Sequence, residues 1–441
     1  MFQAGVAIKD ISPFKPMFLF GYPHIPRTST GIHDPLLASA LCLKNDSTSL
    51  LVIALDILMI SPRTANDIRS EISRKTGIAA SCIMISCSHT HSGPVAVDEL
   101  FCGNDPVVPK ADPEYLAFLR QQAVAAAVDA TACLRNAELA SASATVAGAG
   151  CNRHDPHGPC DPEIGIIAVR ETATGKIMAL DVTYSMHPTV LHEDSTLITA
   201  DFPGYVRLHL QERLGPELVT VYHTGPSGNQ SPRYHVRGQT FAEAERIGRL
   251  IGDVVYHRVT GLDATAFRNQ VELRGETSPV QLTPRNFPSV TEAEEILRAA
   301  RDDYARLQAE NAGHGPVRTA ECTVFGAEEM VTMARYAQTG ELQRVQREYN
   351  PVEVQVLQIS DTCMAGFPGE VFVEFGLALK RQFPGRVIPV SLVNGELQGY
   401  IVTPDAVGYE AGNSMFTPES GSRMTAALGG MISRFIGGAM K

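Results

Sequence analysis

The chain reads as an α/β protein in which mixed central β-sheets are surrounded by helices, forming a single large catalytic domain over 1–441. Three observations predict this. Apolar runs of strand length recur from end to end, stretches of helical period lie between them, and no internal repeat or clear linker divides the chain.

Taken in order, Met1 to Val6 runs directly into strand-like sequence, and runs at about 36–43, 49–56 and 82–88 read as strands. Helical patterns occupy about 63–75 and 113–135, the second with Asp112 as N-cap and Pro113 in the first turn. Segments rich in Val, Ile, Ala and Thr at about 137–148, 163–170 and 177–186 predict strands. A helix from about 203 and the strand Leu218–Tyr222 follow. Thr240-Phe241-Ala242-Glu243 has the form of a capping box, opening a helix that carries Phe241, Ala244, Ile247, Ile251 and Val254 on one face. Residues 287–345 are charged and helical, and read as a solvated helical pair or lid-like insertion. Strands near 352–359 and 387–393 flank a helix from about 370 to 383, which buries Phe372, Phe375, Leu379 and Phe383 and stops before Pro384-Gly385. The final helix spans about 419–437.

Composition narrows the function. With 37 basic and 48 acidic residues the formal charge is −11, which argues against nucleic acid as a partner while leaving room for a local basic pocket. Nine Cys without any CxxC spacing suggest reduced, buried thiols and a cytoplasmic protein. The N-terminus lacks the basic and apolar regions of a secretory leader. The longest apolar stretch, Leu50 to Ile60, is interrupted by Asp56, so stable membrane insertion is not expected.

The most informative segment is Ser88-His89-Thr90-His91-Ser92-Gly93-Pro94, at the end of the apolar run Cys82–Cys87. On a continuing strand His89 and His91 leave the same face and can aim at one metal ion or one substrate. A catalytic zinc needs about three protein ligands and an open position, so the others must come from elsewhere. Asn152-Arg153-His154-Asp155, Met186-His187-Pro188, the loop Ser227–Pro232 and Pro368-Gly369-Glu370 each put polar residues at element ends. Their separation is too long for a local motif. Bland readings stand beside each: satisfied core histidines for His89 and His187, a loop hydrogen bond for His91, a structural ion pair for Arg153, a packed Tyr400, and for Glu370 a charge at a helix N-terminus.

SHTHSGP, NR at 152–153, MHPT at 186–189, GNQSP at 228–232, PGE at 368–370, and YIVTP at 400–404 followed by Tyr409-Glu410 resemble, in this order, the neutral, non-lysosomal ceramidase family. The opening VAIKDISP, GIHD at 31–34 and Asp201 add to the likeness. The resemblance implies the catalytic domain of a Zn2+ hydrolase that cleaves an amide bond, without the family's C-terminal β-sandwich. Carried over, the zinc ligands would be His89, His187, Glu370 and Tyr400. His91, Arg153, Ser231 and Tyr409 would line the site, with His33 approaching it, and Arg153, His91 and Tyr409 would donate to the developing oxyanion. Two routes are open: Ser231 as an activated nucleophile, or water activated at the zinc with Ser231 as a polar contact. No G-x-S-x-G elbow surrounds Ser231, and the zinc-water route needs fewer partners.

This loop reads GNQSPR where family members commonly have GDVSPN, so Arg233 brings a cation near Ser231 as a further substrate contact. This departure, together with the expected lack of the β-sandwich and of a secretion signal, puts a lipid substrate in doubt and points to a smaller or more polar N-acyl amide. The expected partner is therefore a small-molecule N-acyl compound, with oligomerisation open. The alternatives are the same zinc site acting on a lactone, ester or cyclic amide, or a non-catalytic binding protein on this scaffold.

Overall fold

The computed structural model describes residues 1–437. One sheet is built from β1 (Gln3–Asp10), β2 (Leu37–Lys44), β3 (Ser49–Leu55), β4 (Ile83–Cys87), β5 (Arg135–Thr145), β6 (Glu163–Glu171), β7 (Ile177–Tyr184) and β8 (Val219–Thr224). Its spatial order is β8-β7-β6-β5-β1-β2-β3-β4, antiparallel except for the parallel pairs β7/β8 and β3/β4 at its two ends. A second sheet, in the order β9 (Leu273–Val280), β10 (Val352–Ile359), β11 (Thr362–Gly366) and β12 (Val387–Val390), is antiparallel with one parallel pair at its end.

The two sheets pack face to face. Leu41, Val52, Met84 and Val221 of the first share one core with Leu357, Met364 and Ile388 of the second. Helices cover the outer faces, giving an αββα arrangement of four layers. On the first sheet lie α1 (Pro62–Thr76), α2 (Pro113–Ala132), α3 (Phe202–Leu214) and α4 (Phe241–Thr260). Over the second lie α8 (Val373–Gln382) and α9 (Glu419–Gly437), and between the sheet's first two strands the chain forms α5 (Val290–Ala309), α6 (His314–Thr339) and α7 (Glu341–Glu348). Strands enclosed on both sides are apolar at most positions, which is why β3 and β4 are near-continuous apolar runs rather than alternating ones, with Ser86 of β4 a buried exception that has its own hydrogen-bond partner.

Local signals set many helix ends. The Asp112 carboxylate takes the Glu114 and Tyr115 N–H groups ahead of Pro113, and α1 ends at Gly77 in the left-handed region (φ +76°). Only half of the expected capping box forms on α4. The Thr240 hydroxyl accepts the Glu243 N–H, but the Glu243 carboxylate turns to the Arg237 N–H and the Arg246 guanidinium, stronger partners than its own cap. Among the described residues no helix is long and apolar enough to cross a membrane.

Candidate active site

The segment carrying His89 and His91 is not a continuing strand. β4 ends at Cys87 and His89 sits in the left-handed region at φ +69°, so the two-residue alternation expected from the sequence does not operate. The imidazoles meet for another reason: each donates Nδ1–H to a backbone carbonyl. His89 is tied to Leu58 O at 2.9 Å, His91 to Gly21 O at 2.8 Å and His187 to Ser227 O at 2.7 Å. This fixes the tautomers and leaves three Nε2 lone pairs facing inward. The ring centroids lie 5.0 Å (His89–His91), 4.6 Å (His89–His187) and 5.6 Å (His91–His187) apart. Ligand atoms of the three residues fall within 4.8 Å of one another.

Glu370 completes the group. Its Oε2 is 3.1 Å from His89 Nε2 and 3.2 Å from His187 Nε2. Rather than opening a helix, Glu370 lies in a two-residue parallel bridge opposite Tyr400, before α8 begins at Val373. That pairing sets Glu370 and Tyr400 side by side. Burial pushes the His187 imidazole down to about 4 and His91 well below its ordinary value. Burial alone would raise Glu370, but the adjacent His89 and His187 hold it well below the carboxylate range. Imidazole lone pairs therefore face an ionised carboxylate oxygen across about a hydrogen-bond length, an arrangement that calls for a cation between them. His89 Nε2 and His91 Nε2 are buried without a hydrogen-bond partner among the described residues. Nitrogen and carboxylate donors in this number suit a divalent ion.

Around this group the predicted residues separate. Arg153 Nε donates to Glu410 Oε1 at 2.5 Å, a second guanidinium nitrogen pairs with the same carboxylate, and the guanidinium carbon is 5.4 Å from the centre of the Tyr400 ring. Burial opposes ionisation of Glu410, yet Arg153 and His154 hold it at about 2. The Tyr409 hydroxyl points to Glu329 Oε1 (3.5 Å) and receives the Asn413 side-chain N–H (3.2 Å), so its proton is engaged by a carboxylate. The Ser231 hydroxyl accepts the Arg233 N–H at 3.0 Å, and no base touches it among the described residues. The Arg233 guanidinium donates to the Arg153 carbonyl at 3.2 Å, next to the short antiparallel pairing of Gln230 and Ser231 with Asn152 and Cys151. His33 stacks on Phe241 (3.8 Å) and bonds Asp34 (2.9 Å), with no contact joining it to the three histidines. With Nδ1–H committed to Gly21, neutral His91 offers only a lone pair at Nε2, so it accepts a proton before it can donate one.

Further residues support this group, and of these Arg27, Tyr22 and Gly21 carry no local sequence signal. Buried Arg27 donates to the His91 carbonyl (2.6 Å) and lies over the Tyr22 ring, which itself tilts against His91. Gly21, at φ +120°, touches the His91 ring so closely that a Cβ there would lie 2.6 Å from it. The Asp201 carboxylate takes the Val190, Leu191 and Phe202 N–H groups, fixing the turn after His187. The 287–345 segment reaches the site through α6, where Phe325 stacks on His24 (5.0 Å) and Glu329 meets Tyr409.

Comparisons with known proteins agree with this architecture. The neutral ceramidase from Pseudomonas aeruginosa superposes with a TM-score of 0.75 at 17% identity, over 99% of this chain and 74% of that one. A ceramidase complexed with C2 gives 0.72 at 16% identity, over 98% of this chain and 75% of its own. At such identities these two establish the fold. No curated protein matches the sequence. The model of the neutral/alkaline non-lysosomal ceramidase N-terminal region matches residues 2–236, a span that contains His89, His91, Arg153, His187 and Ser231. On that match over more than half of its length, the chain belongs to the neutral/alkaline non-lysosomal ceramidase family, a family of amide-bond hydrolases.

Proposed function

We propose that this protein is a zinc-dependent amidohydrolase that cleaves the amide bond of an N-acyl compound, a ceramide or a smaller soluble amide. One observation carries the reading: three imidazoles, each anchored through Nδ1 to a backbone carbonyl, present Nε2 toward a single point beside the Glu370 carboxylate. His89, His187, Glu370 and Tyr400 would hold the ion. When bound, zinc supplies Lewis acidity, lowering the pKa of water and polarising an amide carbonyl.

The chain's own residues supply the rest. His91 Nε2 takes a proton from the attacking water and, once protonated, passes it to the leaving amine. Arg153, held by Glu410 beside Tyr400, provides a fixed cation for the charge that develops on the carbonyl oxygen. Ser231, bonded to a backbone N–H and to no base, serves as a polar contact and not as the nucleophile. Arg233, whose guanidinium donates to the Arg153 carbonyl, would be a further cationic contact for the substrate.

Metal analysis of the purified protein, with a panel of N-acyl amides, esters and lactones, tests the proposal. About one zinc per chain is expected. His89→Ala and His187→Ala lose metal and amidase activity together, and Glu370→Gln, which keeps shape but removes charge, binds zinc more weakly. Full zinc occupancy in His89→Ala would overturn the ligand assignment. Turnover of esters or lactones without amides would overturn the reaction.

A further inference from the structure

A buried polar chain joins three of the strands that lead into the candidate site, and the proposed chemistry makes no use of it. Asp181 Oδ2 accepts the His223 Nε2–H at 3.0 Å, which leaves His223 Nδ1 to accept the Ser86 hydroxyl at 2.5 Å. Ser86 and His223 are 0% exposed and Asp181 1%. The connectivity is that of a serine-hydrolase relay, but a fully enclosed Ser86 cannot meet a substrate.

Its place in the fold gives it a different meaning. Ser86 is on β4 and His223 on β8, the two ends of the large sheet's spatial order, so the sheet coils until its ends meet at this contact. Asp181 is on β7, parallel to β8. Each strand then runs on to a part of the candidate metal group: β4 to His89, β7 to His187, and β8 to Ser227, whose carbonyl accepts the His187 Nδ1–H. Just beyond His223, the Thr224 hydroxyl donates to the carbonyl of Ser88 at 2.6 Å, next to His89. Apolar packing alone does not fix how far β8 sits along β4, because Val and Ile side chains tolerate a slide. A directional hydrogen-bonded chain does, and buried polar groups that cost stability are best attested as devices of register. Among the described residues Asp181 Oδ1 is left without a hydrogen-bond partner, a cost that apolar residues in its place would have avoided.

We propose that Asp181, His223 and Ser86 are positioning residues for the metal site: they clasp β4 to β7 and β8 and so set the separation of His89 and His187. This rests on the zinc reading above. The test is zinc affinity, measured by titrating the metal-free protein against a chromophoric chelator. Wild type is compared with His223→Ala, Asp181→Asn and Ser86→Ala, and Val259→Ala, a buried truncation in α4, controls for general destabilisation. Affinity is expected to fall roughly ten- to a hundredfold in His223→Ala and Asp181→Asn and roughly threefold in Ser86→Ala, as for groups that orient metal ligands, with Val259→Ala unchanged. If the two larger changes prevent folding, Ser86→Ala decides alone, since it removes a single hydroxyl. Wild-type affinity in the clasp variants overturns this inference and leaves the zinc reading standing, as does an equal loss in Val259→Ala. Failure of the wild-type protein to bind zinc removes both.

Discussion

At the residue scale, the Arg153–Glu410 pair gives the clearest pH signature. Glu410 drops from an ordinary 4.5 to about 2 in the folded chain, so the unfolded state binds the proton first as pH falls. Its contribution is therefore fully present above about pH 4.5 and is lost as pH falls through about 2, an amount of about 3 kcal/mol. Glu410→Gln strands a buried guanidinium, at a cost of about 3 kcal/mol near neutrality. Urea midpoints of wild type and variant should thus differ at pH 7 and converge toward pH 2, whereas a constant gap would show that the pair is not the source. For catalysis, Arg153→Ala is expected to lower kcat roughly a hundredfold with little change in KM, because its charge acts mainly in the transition state. Ser231→Ala should slow turnover without abolishing it, and product should form linearly from time zero. A burst with a trapped acyl group on Ser231 would reverse the assignment of the nucleophile.

At the scale of elements, local chemistry was legible where one segment decides its own structure. The apolar runs became β3, β4, β6 and β7 because strands enclosed on both faces are apolar at most positions, and Asp112-Pro113 marked the start of α2. The strand Leu273–Val280 escaped notice because its half-exposed sequence LRGETSPV lacks an apolar pattern, and Thr362–Gly366 is short and holds no β-branched residue after its first. In the site, the motifs identified the histidines, but their convergence depends on carbonyls of Leu58, Gly21 and Ser227, which no spacing rule connects. The same holds for Glu370, whose bridge with Tyr400 is non-local and displaces the helix start read from PGE. Gly21 tests this view of the loops. In Gly21→Ala the new Cβ meets the His91 ring at a left-handed backbone position, so the ring must shift. Activity should fall roughly tenfold or more while zinc content stays unchanged, as expected for a misplaced proton carrier. Unchanged kcat in a folded Gly21→Ala variant would remove His91 from proton transfer.

At the scale of the whole molecule, the four layers bring the ends of strands from the large sheet and the bridge before α8 to one place, and α6 closes against it through Phe325 and Glu329. Substrate choice is then a matter of the surface that surrounds this place. A formal charge of −11 opposes docking on anionic bilayers, and the repulsion is screened within about 10 Å at 0.1 M salt. On the proposed function, Arg233, an exposed cation whose guanidinium donates to the Arg153 carbonyl, would contact the substrate and suit a polar N-acyl compound better than a hydrocarbon chain. A soluble N-acyl amide should therefore show the higher kcat/KM when compared side by side with long-chain ceramide in vesicles. On the vesicles, turnover should fall as the anionic lipid fraction rises at low ionic strength and recover with added salt, while the soluble substrate stays insensitive to both. Efficient hydrolysis of long-chain ceramide that rises with anionic lipid, with little turnover of soluble amides, would assign this site to membrane lipids instead.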